Sequence, residues 1–434
     1  MSRLLILLFV VCGAPVIAQD GWEWSQVKEL PITTGHNAVA AVQLEGKKYI
    51  YSFGGIADSL KIDDIHQRVF AYDVINDLWS ERFPIGDSLG KIGAAASTVN
   101  GKIYIIGGHH VDEDTTVICS DKNHVYNPIT DTFEVDAAAL PTPVTDHAQA
   151  VWRDSLIFNL GGWSNGMAIA DVQLFNPAYN SWQQATSVGT DSTDRVFGSS
   201  AYILKDTIYY IGGVGQSNQG FFETNVLRKG VINPDDPTQI EWQNDQIISN
   251  NAYFGAVCSG HDQTVFCLGG AAEAHDFSGM AYADSIPVAP NASLVKYKSS
   301  SSSSTTVFPT EFSRTAWGGI AKLGGGNWML VGGIDSLQQP TSSTLLLHNQ
   351  DLSNISQSKQ PPFFEVLDDG DFYRVRTENI GAIDIYNVAG QRLYSHAKKL
   401  ADVLINKNDL ENGILLFVYD DNTNVPVTVR KINL

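Results

Sequence analysis

The stretch Lys102-Ile103-Tyr104-Ile105-Ile106-Gly107-Gly108 is a short apolar strand that stops on two glycines, and the chain repeats it. Doublets of the same form begin at Gly54, Gly107, Gly161, Gly212, Gly269 and Gly332, which lie 53, 54, 51, 57 and 63 residues apart. A period of about 50 residues marks a repeat architecture, in which one supersecondary unit recurs and neighbouring copies bury each other's apolar faces. The Ile, Tyr, Phe and Val ahead of each doublet suit a buried strand. Glycine at a strand end marks a bulge or a close backbone approach, and it takes positive φ without a Cβ clash.

Two further marks share the period. Tyr72 and Trp79, Tyr126 and Phe133, and Phe175 and Trp182 are pairs seven residues apart, separated by the turn signals Asn76-Asp77, Asn127-Pro128 and Asn176-Pro177. Trp242 is a weaker fourth copy. Upstream of the doublets lie small-residue strands at 93–99, 147–152, 198–204, 255–259 and 318–323. The unit therefore reads as small-residue strand, Gly-Gly strand, aromatic strand, aromatic strand. This pattern resembles the kelch repeat over residues 20–350. The resemblance implies an all-β fold, a six-bladed kelch β-propeller whose four-stranded blades stand radially around a channel.

Residues 1–18 read as a signal peptide: Arg3 gives a positive start, 4–11 an apolar run, and Val16-Ile17-Ala18 a cleavage region. The run is too short to span a membrane as a helix, and no transmembrane span is expected. Residues 24–30 resemble an outer aromatic strand with nothing before them, while the last repeat lacks its fourth strand. Residues 24–30 are therefore expected to complete the sixth blade and close the ring, which removes exposed strand edges. The connections vary most: 109–114 is long and polar, and 215–222 and 271–290 are longer still. The serines at 299–304 read as a flexible loop.

Residues 351–362 form a polar linker, and 363–434 a small β-sandwich-like domain. Three motifs there, Ile383-Asp384-Ile385-Tyr386-Asn387-Val388-Ala389-Gly390-Gln391-Arg392-Leu393-Tyr394, Leu410-Glu411-Asn412-Gly413-Ile414 and Val429-Arg430-Lys431-Ile432, resemble the C-terminal sorting domain of type IX secretion substrates. The resemblance implies a Bacteroidota-type envelope, passage through the periplasm, the type IX machinery as a partner of 363–434, and a secreted or cell-surface location. The family's usual Pro-Asn-Pro start is replaced by Pro361-Pro362.

The chain carries 28 basic and 47 acidic residues, net −19, and residues 20–362 hold 19 and 36 of these, net −17. An acidic propeller is a poor partner for nucleic acid or an anionic membrane. Cys258 and Cys267 flank a turn on adjacent strands, so a cross-strand disulfide is chemically permitted in an exported protein, with the register left open. Cys119 is then odd, and no zinc-type spacing occurs.

Propellers bind at the channel mouth, on loops entering the innermost strands. Here those loops carry His36, Lys91, Asp146, His147, Arg195, Tyr253 and Arg314. Arg195 and Arg314 precede their doublets by 17 and 18 residues and Lys91 by 16, so repeat symmetry points all three cations at the axis. Two arginines and a lysine in an acidic body favour a carboxylate or phosphate ligand; the alternative is that they cap strands and pair with nearby Asp. His109-His110 with Asp112 and Asp114 offers metal-ligand side chains, but such clusters are common in exposed loops, and no metal or other cofactor is expected. No Gly-x-Ser-x-Gly elbow appears. A binding module for glycan or protein is therefore the leading expectation. The alternative, by fold analogy, is a sugar-modifying enzyme of the sialic-acid epimerase or mutarotase type. A copper oxidase of the galactose-oxidase type would need a Tyr–Cys crosslink and usually a seventh blade, and neither is evident.

Overall fold

The seven-residue spacing of the aromatics places them directly across from each other. In the computed structural model Tyr72 pairs with Trp79, Tyr126 with Phe133 and Phe175 with Trp182 on adjacent antiparallel strands, with ring centroids 5.0, 5.1 and 4.9 Å apart. The structure describes residues 16–17, 21–112, 116–247, 251–298, 302–308 and 310–349, and beyond them 364–369, 371–377, 382–387, 392–397, 402–410, 414–420 and 428–433. Most of the signal-peptide reading, the linker 351–362 and Asp114 lie outside the described residues.

Each repeat is a four-stranded antiparallel meander that runs outward in chain order. Blade 1 comprises Ala38–Leu44, Lys47–Ile56, Ile65–Asp73 and Leu78–Arg82. Blade 2 comprises Ile92–Val99, Lys102–Val111, Asn123–Asn127 and Thr132–Phe133. Blade 3 is Ala148–Trp152, Leu156–Leu160, Val172–Asn176 and Ser181–Ala185. Blade 4 is Ser200–Leu204, Thr207–Ile211, Val226–Ile232 and Ile240–Ile247. Blade 5 is Val257–His261, Thr264–Leu268, Ser293–Lys298 and Ser302–Val307. Blade 6 takes Ala321–Gly324, Asn327–Val331 and Thr344–Asn349 from the end of the propeller and Trp22–Gln26 from its beginning. Trp24 pairs with Leu347, so the first propeller strand closes the ring. Its bounds fall slightly earlier than the expected 24–30, and Val16–Ile17 pairs outside it.

Blade 5 corrects one expectation. Ser302–Ser304 are not a loop but begin its outer strand, paired with Tyr297, Lys296 and neighbours. The β-branched Thr305, Thr306 and Val307 that follow carry the serines into an extended edge.

The core lies between blades. Ile103 and Ile105 face blade 1, whereas Tyr104 and Ile106, on the same strand, face blade 3. This two-residue period is what a sheet buried on both faces requires. Trp22, Trp24 and Trp328 fill the blade 5–6 interface with Phe266 and Phe308.

The doublets join the blades. The amide of the second glycine donates to a carbonyl of the loop entering the next blade, and it does so six times: Gly55 to Lys91 (3.2 Å), Gly108 to Val144 (2.9 Å), Gly162 to Val196 (2.9 Å), Gly213 to Tyr253 (2.8 Å), Gly270 to Arg314 (3.0 Å) and Gly333 to Thr34 (2.9 Å). A Cβ on the first glycine of any doublet would press on that same carbonyl oxygen. At the rim, indole N–H groups make a second tie: Trp79 donates to Lys28 O (2.9 Å), Trp182 to Ala138 O (2.7 Å) and Trp242 to Thr186 O (3.1 Å), each on chain leaving the preceding blade.

Cys258 and Cys267 oppose each other in blade 5 and form a disulfide, and Cys119 is a free thiol. Contacts divide the chain into two compact units, Met1–Leu352 and Ser353–Leu434. The second has a three-stranded sheet (Phe364–Asp369, Phe372–Thr377, Asp402–Asn406) and a four-stranded one (Arg392–Ala397, Ala382–Asn387, Ile414–Asp420, Thr428–Asn433). They share a core of Tyr373, Val375, Ile383 and Ile385. Among the described residues no helix is long and apolar enough to cross a membrane.

Gly212→Ala tests the blade joint. Gly212 has φ 67° and lies against Tyr253 O, whereas Gly101, with φ 75°, has nothing near its missing Cβ. The left-handed penalty, about 1–2 kcal/mol, applies to both. Urea denaturation should show Gly101→Ala losing about that much, and Gly212→Ala ~3 kcal/mol or more once the displaced carbonyl loses its amide partner. Equal losses would mean that the joint contributes nothing beyond backbone strain.

Candidate functional site

The chain entering each innermost strand passes through one residue in the left-handed region: His36 (φ 56°), Gly93 (67°), Asp146 (51°), Gly198 (62°), Gly255 (65°) and Ala316 (54°). These residues are linked from blade to blade. The His36 amide donates to Ala316 O (2.9 Å), Asp146 to Gly93 O (3.0 Å), Gly198 to Asp146 O (2.7 Å) and Gly255 to Gly198 O (2.7 Å). The result is a collar at the channel entrance whose backbone hydrogen bonds run from blade 2 to blade 5 and from blade 6 to blade 1. Glycine is the ordinary occupant of such a position, and a Cβ there costs about 1–2 kcal/mol. A histidine and an aspartate occupy the collar despite that cost.

Two cavities meet at the collar, and His36 and Asp146 line both. The channel, about 490 Å³, is walled by alanine, serine and glycine of the innermost strands. The other cavity, about 220 Å³, is walled by aromatic and histidine side chains. Its walls are the long connections that follow the doublets. Blade 2 supplies His109 and Val117, blade 3 Trp163, blade 4 Phe221, and the 271–290 segment of blade 5 His275, Asp276, Phe277 and Tyr282. Phe197 and Phe254, each one residue ahead of a collar glycine, complete it. The rings pack edge to face: Trp163 to Phe197 at 5.2 Å, Phe197 to Phe221 at 5.5 Å and Phe197 to Phe254 at 5.4 Å. Tyr282 packs on Phe221 at 4.9 Å and is 49% exposed, which places it at the rim.

Hydrogen bonds fix the polar groups. His36 Nε2–H donates to Phe277 O (3.2 Å) and fastens the 271–290 connection to the collar. Thr145 Oγ1 donates to Asp146 Oδ2 (3.1 Å) and lies 2.8 Å from His109 Nδ1. His275 Nδ1–H donates to Asp276 O (2.8 Å), which leaves its buried Nε2 as an acceptor without a protein partner. Burial raises the Asp146 pKa, and His36 and the Thr145 hydroxyl offset part of that rise. Burial lowers His36 and His109 to about 4, and also lowers His275. At neutral pH the three histidines are uncharged, and no lysine or arginine is among the lining residues.

The family described as the KLHDC2/KLHL20/DRC7 Kelch-repeats domain matches residues 35–270, more than half of the sequence. The chain belongs to this kelch-repeat family. It is 24% identical over 228 residues to acyl-CoA-binding domain-containing protein 5 of Arabidopsis thaliana, covering 50% of this chain and 34% of the plant protein. It is 26% identical over 166 residues to human Kelch-like protein 33 (38% and 29% covered) and 31% identical over 137 residues to human Kelch repeat and BTB domain-containing protein 4 (32% and 24%). The chain thus spans about a third or less of these relatives' length. The solved structure of YjhT aligns with a TM-score of 0.59 and 12% identity, over 75% of this chain and 98% of that one, a likeness of fold.

The kelch propeller brings together some of the residues expected at the channel mouth and not others. His36 and Asp146 sit on the collar, and His147, buried just inside, lines the channel. Lys91, Arg195, Tyr253 and Arg314 line neither cavity. Lys91 is buried against Asp87 (2.7 Å) and His124 (2.9 Å) in blade 2. Arg195 is exposed beside a 3-10 turn. Tyr253 is fully buried in the blade 4–5 core. Arg314 Nη1 donates to Glu311 O and Ser313 O, both at 2.7 Å. The cause is register: Lys91, Tyr253 and Arg314 stand two residues before their collar residues and give their carbonyls to the glycine doublets, and Arg195 stands one residue earlier again. His109 and His110 are neighbours on one strand with opposite surroundings, His109 toward Thr145 and His110 toward Gly90 O (2.7 Å). The aromatic wall was missed as a site, although three of the connections that build it stood out by their length.

The depressed histidines make a stability prediction. His36, His109 and His147 have folded pKa values of about 4 against an ordinary 6.5. Between these values the unfolded chain binds more protons, so their contribution is complete above pH 6.5 and is lost as pH falls toward 4. At pH 5 each should cost up to about 2 kcal/mol relative to pH 7.5. Urea midpoints at the two pH values measure the sum, and imidazole NMR shifts should stay neutral down to pH 5 in the folded protein. Imidazoles titrating near 6.5 would contradict the burial.

Proposed function

We propose that this protein is an exported kelch binding module that reads a protein segment or glycan at the entrance of its channel. The observation that carries the proposal is the aromatic pocket set on the collar. Variable connections from four blades converge there, while everything beneath them repeats. Kelch repeats are held by relatives such as human Kelch-like protein 33, which favours a recognition role. Aromatic walls with a few fixed polar groups suit ligand recognition. Removing Phe221 and Tyr282 together, both at the outer part of the wall, leaves the blade cores untouched. Y282A/F221A should lower binding on glycan and peptide arrays at least tenfold with Tm nearly unchanged. An unaltered binding profile would place the ligand elsewhere.

The location belongs to the same proposal. The signal-peptide pattern of 1–18, the motifs of 363–434 and a disulfide at Cys258–Cys267 all suit a protein that leaves the cytoplasm. In this reading the type IX machinery recognises 363–434 and delivers the propeller to the surface or medium. Deleting 363–434 should leave a folded propeller in the periplasm; normal delivery would remove the sorting role.

A second reading, a sugar epimerase or mutarotase, draws on one feature. A carboxyl with a raised pKa and histidines with lowered ones share the pocket, the kind of divergence that suits acid–base chemistry. NMR of reducing sugars, including N-acetylneuraminate, would detect accelerated anomer exchange that Asp146→Asn abolishes. No exchange retires this reading.

A further inference from the structure

Asp146 stands in an unusual place. It occupies a collar position where three of the six residues are glycine, and its carboxylate accepts one side-chain hydrogen bond among the described residues, from Thr145. The other acidic residue of the pocket, Asp276, is already engaged: its Oδ1 accepts from the amides of Ser278 (2.8 Å) and Met280 (3.2 Å) and from the Ser278 hydroxyl (2.6 Å). Asp146 therefore retains acceptor capacity toward the cavity. Close by, His275 is 3% exposed and presents an Nε2 without a partner. With Nδ1–H committed to a carbonyl, that nitrogen can only accept while the ring is neutral. The polar floor thus offers two acceptors, one of them a carboxyl group.

The walls point to the same class of ligand. Trp163, Phe197, Phe221, Phe254 and Tyr282 form a continuous aromatic surface, and ring faces attract a cation. An anion would meet Asp146 with no counter-charge, and burying it there would be costly. The cations expected at the channel mouth are elsewhere: Lys91 is held by Asp87, and Arg314 by carbonyls of its own turn.

We propose that this pocket binds an alkylammonium group, whose N–H bonds go to Asp146 and His275 Nε2 and whose alkyl carbons pack on the aromatic wall. This rests on the reading of the pocket as the ligand site, and it names the chemistry that the site selects. Burial that disfavours the Asp146 carboxylate in the empty pocket is relieved when a cation enters. A free amine and a lysine side chain of a partner protein both carry this group, and the experiment separates them.

Calorimetry on the full mature chain tests this with matched probes: butylammonium, 1-butanol and pentanoate. Butylammonium should bind at least tenfold more tightly than butanol, and pentanoate should bind least. Asp146→Asn keeps the volume and tolerates left-handed φ; it should abolish the preference for the amine while leaving butanol unaffected. Nα-Acetyl-lysine methylamide binding more tightly than butylammonium assigns the group to a protein side chain, and the reverse order assigns it to a free amine. Equal affinity for butanol and butylammonium, tighter binding of pentanoate, or an unchanged preference in Asp146→Asn overturns the proposal. If Y282A/F221A loses array binding while no probe prefers the cation, the pocket is the ligand site and the ammonium assignment is wrong. If the amine binds but does not compete with array ligands, the ammonium site stands and the functional reading fails.

Discussion

One hydrogen bond, made six times, organises the propeller: the second glycine of each doublet donates its amide to a carbonyl of the loop entering the next blade. The bond requires two backbones to touch. A Cβ on the preceding glycine would stand in the way, and the chain must turn there through positive φ, so both demands select glycine. The bond also fixes the angular step between blades, because it ties the end of one second strand to the start of the next first strand. The indole ties at the rim act far from the axis and resist splaying of the same interfaces.

Such joints need closure. An open array would leave the last blade short and its edge strand exposed. Trp22–Gln26 supplies the missing strand, and the Gly333 amide returns to Thr34, so the sixth joint is made like the other five. The two buried tryptophans of that strand complete the blade 5–6 core, which makes closure a packing event as well as a hydrogen-bonded one.

The physics of these joints explains what could be read from residues alone. A doublet recurs because its constraint is local and identical in each blade, and a seven-residue aromatic spacing survives because cross-strand register demands it. The site is set by a finer register. Arg195 and Arg314 lie at nearly equal distances from their doublets, yet Arg314 supplies the bonded carbonyl ahead of blade 6, whereas ahead of blade 4 Val196 does. A shift of one residue there separates a side chain on the channel from one outside it. At His36 and Asp146 the left-handed residue lines both cavities, and nothing in their spacing distinguishes them from their neighbours. The aromatic wall was obscured for a different reason: its residues come from connections with no common period, and only folding brings them together.

This division has a mechanical consequence. The collar is bonded through backbone atoms, so its geometry does not depend on which side chains it carries. Gly93, Gly198 and Gly255 meet its left-handed requirement without strain, while His36 and Asp146 meet it at a cost that the other joints absorb. His36 then uses its position to hold the Phe277 carbonyl, which couples the long 271–290 segment of blade 5 to the ring. A pocket built this way sets walls drawn from connections of no common period on a floor where the His36 and Asp146 amides are each held by a carbonyl of the preceding blade.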